Sequence, residues 1–188
     1  MTTILAVSGS LRVNGFNSML LRAAVAAAPE GATIEVGSIR EIPLYDGDVE
    51  AASGLPAAVV ALKEKVVAAD GLLIVSPEYN NGIPGVLKNA IDWLSRPGAD
   101  IPRVFGERAV GVIGATPGRG GTAMAQAAWL PVLRTLGMHL YTGGRLQVPS
   151  AGKVFDADGA LIDDTTRTQL EKYMTGFTRF ITRNTTPT

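Results

Sequence analysis

With 188 residues, 46% of them hydrophobic and 18% charged, the chain has the length and apolar content of a folded domain rather than a disordered segment. Lys plus Arg equals Asp plus Glu at 17 each, which argues against a general nucleic-acid binder and against a polybasic membrane anchor. The lack of cysteine excludes disulfides, thiol catalysis, iron–sulfur clusters and cysteine-held zinc; a single histidine, His139, excludes a multi-histidine metal site.

The N-terminal Met1-Thr-Thr-Ile-Leu-Ala-Val7 carries neither a charged leader nor a long apolar region, so it reads as a first strand over Ile4–Val7. A polar loop follows, then a helix from about Asn17 to Ala28, closed by Pro29-Glu-Gly31. Its apolar run breaks at Arg22, far short of a membrane span, so no membrane insertion is expected and the cytoplasm is the expected compartment. Thr33–Val36 reads as the second strand, and Pro43–Gly54 as irregular. A helix from about Pro56 to Ala69 leads into the strand Leu72–Val75, and another covers about Pro84–Ser95. Ala109–Gly114 gives the fourth strand, Thr122–Leu136 a helix, and His139–Tyr141, extendable to Val148, the fifth strand. The last helix runs from about Asp164 to Thr182, so residues 1–183 are expected to form one domain with 184–188 as a frayed tail. Alternating strands and helices imply an α/β fold with a parallel sheet covered on both faces. Five strands with a polar loop after the first favour the flavodoxin-like order 2-1-3-4-5.

Two strand-end loops carry the chemistry. After Val7 come Ser8, Ser10, Arg12, Asn14, Asn17 and Ser18, with Gly9 and Gly15 letting the backbone bend close to a ligand. A phosphate near the dianion needs many donors in a small volume, and a helix N-terminus offers free N–H groups and about half a positive charge. Backbone donors from Gly15, Phe16 and Asn17, side chains of Ser10 and Asn17, and the Arg12 guanidinium form such a set. Ser, Asn and Gly also cap ordinary helices, but the position after the first strand, with an arginine inside the loop, favours the phosphate. The second loop interrupts the apolar run Asp70–Val75 with Ser76-Pro77 and continues Glu78-Tyr-Asn-Asn-Gly82, turn formers that expose backbone donors and acceptors. Such loops lie where open parallel sheets bind ligands. A phosphorylated ring system, FMN, fits both. No G-x-x-x-x-G-K-S/T is present, and Gly118-Arg-Gly-Gly-Thr-Ala123 matches a dinucleotide fingerprint only weakly, after the wrong strand and without a following acid.

Gly9-Ser-Leu-Arg12, Asn17, Ile42-Pro-Leu-Tyr-Asp46, Pro77-Glu-Tyr-Asn80 and Ile83-Pro-Gly-Val-Leu-Lys-Asn-Ala-Ile-Asp-Trp93 together resemble the NADPH-dependent FMN reductase family, which includes quinone, chromate and some azo reductases. The likeness runs from about Thr3 to Phe180. It implies FMN phosphate at Ser10, Arg12 and Asn17, and the isoalloxazine beside Pro77, Glu78, Tyr79, Asn80, Asn81 and Thr116. Many members have Ser where this chain has Gly15. The resemblance also implies a homodimer or homotetramer.

Within this reading Tyr79 borders the flavin edge, Asn80 and Asn81 face its pyrimidine side or hold a turn, and Glu78 is salt-bridged while its backbone makes ligand contacts. Trp93 and His139 read as structural, and Arg119 reads equally as a contact for NADPH or as a solvated arginine. The expected chemistry is ping-pong: NADPH or NADH gives hydride to the flavin N5, and a small-molecule acceptor such as a quinone then collects the electrons. No side-chain acid or base is needed, so no catalytic residue is assigned. The alternatives are a reductase that hands reduced FMN to a partner and a flavodoxin-type electron carrier.

Overall fold

The computed structural model describes residues 1–185. Its strands are β1 (Thr2–Ser8), β2 (Ala32–Gly37), β3 (Gly71–Val75), β4 (Ala109–Ala115), β5 (His139–Leu140) and β6 (Leu146–Val148). Its helices are α1 (Phe16–Ala26), α2 (Gly47–Ser53), α3 (Ala57–Ala68), α4 (Gly85–Leu94), α5 (Ile101–Val104), α6 (Ala123–Thr135) and α7 (Asp164–Thr185). All strand pairs are parallel in the order β2-β1-β3-β4-β5, the flavodoxin-like arrangement expected, with β6 also on β4.

The central strands are buried on both faces, which is why β3 and β4 are unbroken apolar runs without alternation. One face packs Leu5, Leu72, Ile74 and Val110 against α3, α4 and α6 through Val59, Leu62, Leu87, Trp129 and Leu133. The other packs Ile4, Ala6, Leu73 and Ile113 against α1 and α7 through Leu20, Tyr173, Met174 and Phe177. Burial of these side chains is worth about 1.5–3 kcal/mol each.

Element ends shift by one or two residues at several places, and three larger differences from the sequence reading bear on the layout. The fifth strand is split: the Tyr141 N–H still donates to the Val110 carbonyl at 2.8 Å, its ring packs with Tyr173, Phe177 and Phe180 at centroid distances of 5.3, 5.8 and 5.5 Å, and the chain then leaves β4. Pairing resumes only at Ile113 with Leu146. The irregular stretch contains α2, capped by Asp46, whose side chain accepts from the Asp48 N–H at 2.9 Å. None of its residues is buried, so it leaves no apolar period to detect. Finally, α7 continues through Thr185, two residues into the expected tail; the remainder of that tail lies outside the described residues.

Candidate functional site

Parallel strands bring their carboxyl ends to one edge, so residues 9–15 after β1, 76–84 after β3 and 116–122 after β4 form adjacent loops. The first loop is a chain of short local bonds. Ser10 N–H donates to Ser8 Oγ and Arg12 N–H to Ser10 Oγ, both at 3.2 Å. Gly15 N–H and the Ser18 hydroxyl both donate to the Arg12 carbonyl, at 3.1 and 2.7 Å. α1 then starts with no side-chain cap and no acid in its first turn. Among the described residues the N–H groups of Phe16, Asn17 and Ser18 have no hydrogen-bond acceptor. The Arg12 side chain is exposed and, among the described residues, in no ion pair. A Cβ at Gly15 would stand 3.1 Å from Ser10 Oγ, so the small residue keeps that hydroxyl over the helix end.

Two of the expected donors are committed elsewhere. The Gly15 N–H is used inside the loop. The Asn17 side chain is 5% exposed and turned inward: its Nδ2 donates to the Ala115 carbonyl at 2.8 Å and its Oδ1 accepts from the Ala115 N–H at 2.9 Å. β3 pairs with β4 only as far as Ile113, so the Asn17 amide fills the next ladder position on Ala115.

The second loop is pinned to the first and the third. Gly9 N–H donates to the Val75 carbonyl at 2.9 Å, and a Cβ on Gly9 would stand 2.5 Å from Leu87 and 2.9 Å from Pro77. Only glycine permits that approach. The Ser76 hydroxyl accepts from Trp129 Nε1 at 3.0 Å. Tyr79 and Gly82 exchange backbone bonds across Asn80 and Asn81, whose φ values of 52° and 60° make a two-residue turn with both central residues left-handed. That geometry selects asparagine or glycine, which accounts for both asparagines without invoking a ligand. Their side chains and the Tyr79 ring, 46% exposed, face solvent. Among the described residues Glu78 makes no salt bridge, against the expectation; its Oε2 accepts the Met124 and Ala125 N–H groups at 2.8 and 3.0 Å, capping α6.

These bonds decide which helix end is open to an anion. The positive end of α6 already holds a carboxylate. α4 opens on Pro84-Gly-Val-Leu87, with no hydroxyl or guanidinium in that turn. Among the described residues, α1 alone combines unbonded N–H groups with a serine hydroxyl and an arginine outside any ion pair, the donor set of a phosphate monoester site.

The profile of the NADPH-dependent FMN reductase family matches residues 2–153. The chain belongs to that family. An NAD(P)H-dependent FMN reductase of Pseudomonas aeruginosa is 40% identical over 180 residues, covering 96% of this chain and 95% of the relative. A quinone reductase of Escherichia coli K12 is 40% identical over 187 residues, with 96% and 95% covered. Among solved structures, an NAD(P)H:(acceptor) oxidoreductase of Paracoccus denitrificans superposes with a TM-score of 0.87 at 29% identity, covering 98% of this chain and 99% of the other.

The donors at α1 fit the phosphate of FMN in number and chemistry. Thr116 lies at the base of the third loop, where its N–H donates to the Val148 carbonyl at 3.0 Å and its carbonyl accepts from Ala151 N–H at 3.0 Å. Its hydroxyl is reached by the Gly118 N–H at 3.4 Å. Arg119 is exposed on the same loop. His139 begins β5 opposite Ala109, at the other edge of the sheet from the loops, and sits 2.9 Å from Glu107. Trp93 is buried, and its Nε1 donates to the Pro43 carbonyl at 2.9 Å.

Three residues near these loops have roles that sequence reading did not assign. Ser18 contributes a free backbone N–H. Arg40, three residues beyond β2, donates to the Leu11 carbonyl and braces the first loop; the order 2-1-3 already placed the end of β2 there. Asn89 holds residues 43–45 from α4, donating to the Pro43 carbonyl and accepting from the Tyr45 N–H, both at 2.8 Å. The Tyr45 hydroxyl then donates to Glu50 at 2.9 Å, raising the phenol and lowering the carboxyl from their ordinary values; Arg96, 3.0 Å from Glu50, adds to the latter. A cavity of about 450 Å³ between α6 and the segment around Tyr141–Arg145 is lined by none of the expected site residues.

Proposed function

We propose that residues 1–183 form one FMN-binding unit that oxidises NADPH or NADH and reduces quinones or similar small acceptors in a ping-pong cycle. The observation that carries this reading is the unshared donor set at the start of α1, next to the exposed turn after β3. Bound FMN would supply the two-electron chemistry, taking hydride from the nicotinamide and passing reducing equivalents to the acceptor. The protein's part is placement. Phe16, Asn17 and Ser18 N–H groups, Ser10 Oγ and Arg12 hold the phosphate, while residues 77–81 and Thr116 wall the ring.

The reading includes a homodimer or homotetramer, supported by exposed apolar side chains on the site loops, among them Leu11, Val13 and Tyr79. It also places the protein in the cytoplasm, where reduced nicotinamide is supplied; among the described residues no helix is long and apolar enough to cross a membrane. The test is FMN titration of the purified protein, then anaerobic addition of NADPH or NADH and a quinone. A yellow 1:1 complex, bleached by nicotinamide and recoloured by quinone, is expected. A protein that takes up no FMN refutes the reading. One that binds FMN but exchanges electrons only with protein carriers, or releases it at each turnover, fits the carrier or the flavin-supplying alternative.

A further inference from the structure

Thr122 occupies the N-cap of α6, the position at which a threonine hydroxyl ordinarily accepts from the helix's first N–H groups. Here it does not. Its Oγ1 accepts from Gln126 Nε2 at 3.0 Å, and the residue is fully buried against Gly114, where a Cβ would stand 2.3 Å from that oxygen. The cap comes instead from Glu78, 46 and 47 residues away, on the loop after β3. A helix that leaves its own capping residue unused and takes a carboxylate from the facing loop gains little beyond a local cap. It does gain a fixed distance between the two loops.

Resting on the flavin reading, we propose that Glu78 is a positioning residue that clamps the Tyr79–Gly82 turn to the first turn of α6, holding the two walls of the ring site together and neutralising the positive helix end beside it. Two consequences separate. The clamp needs an acceptor oxygen, which glutamine also has. The neutralisation needs the charge, which glutamine lacks. An uncovered helix end carries about half a positive charge and favours the more negative, reduced form of a bound flavin.

The experiment compares wild type, Glu78→Gln and Glu78→Ala by FMN titration and by redox titration of the reconstituted proteins. Glu78→Ala is expected to raise the FMN dissociation constant about tenfold, the effect of about 1.4 kcal/mol. Glu78→Gln is expected to stay within about threefold of wild type, yet both variants shift the midpoint potential to more positive values. A side chain that serves only stability would change the melting temperature and leave the potential alone. If Glu78→Ala does not fold, the potential of Glu78→Gln decides. Wild-type affinity and potential in both variants overturn the proposal while leaving the flavin reading intact. A wild-type protein that binds no FMN overturns both.

Discussion

Replacing Asn17 by alanine separates two uses of one conspicuous residue. In the structure its side chain makes two bonds to Ala115, at 2.8 and 2.9 Å, and Ala115 itself is 2% exposed. Asn17→Ala therefore strands a buried N–H and a buried C=O at the carboxyl end of β4. Each stranded group costs about 1–3 kcal/mol, and water entering the space left by the amide offsets part of this. A loss of about 3 kcal/mol follows, or roughly 6–12 °C in melting temperature for a chain of this size. Urea unfolding of the flavin-free protein measures the loss, and FMN titration measures the site. FMN affinity should fall less than stability does, because the phosphate donor at position 17 is the backbone N–H, which alanine keeps. Asn17→Asp should also be destabilised, since its carboxylate accepts from the Ala115 N–H but faces the Ala115 carbonyl with no donor. A flavin-free Asn17→Ala protein that unfolds within about 0.5 kcal/mol of wild type while its FMN affinity drops tenfold contradicts this role for Asn17. That result would turn the amide toward the ligand.

Arg12→Ala should leave stability unchanged and weaken FMN by about 1.5–3 kcal/mol, with a reduced salt dependence of binding; unchanged affinity removes Arg12 from the phosphate site. Asn80→Ala should cost roughly 1 kcal/mol in urea unfolding because alanine resists a φ of 52°, whereas Asn80→Gly should be neutral or better; equal effects of the two would remove the turn as the reason for asparagine. Asp100 is held well below the ordinary carboxylate range by hydrogen bonds from Arg103 and then Lys63, so its contribution is complete above the unfolded pKa and lost as pH falls toward the folded one. The stability gap between wild type and Asp100→Asn should be constant near neutrality and narrow below about pH 4 in urea midpoints; a gap independent of pH contradicts the ion-pair assignment.

The sheet order was legible because it rests on local signals. Apolar runs too short for helices marked β1, β3 and β4, and the helical stretches between them implied a parallel sheet covered on both faces. The misses follow from the same logic. α2 buries nothing and so has no period, and the break between β5 and β6 follows Tyr141, whose ring packs on α7 more than thirty residues further along. A pattern confined to a window cannot report a contact made outside it.

The site divides along that line as well. The polar residues of the two loops looked alike in sequence, all of a kind that binds phosphate or lines a flavin. In the structure they separate by partner: Asn17 holds β4, Ser76 holds Trp129, Glu78 holds α6, and Asn80 and Asn81 hold a turn. Each needs the residue type the motif shows, because a buried strand end, an indole N–H, a helix end and a left-handed backbone impose demands as specific as a ligand's. What remains free at the first loop is a serine hydroxyl, an arginine and three backbone N–H groups, and backbone donors have no letter in a sequence. The side chains that make the motif recognisable thus serve largely to set the loops in place, so substitution within the motif should often be read first in stability and only then in cofactor affinity.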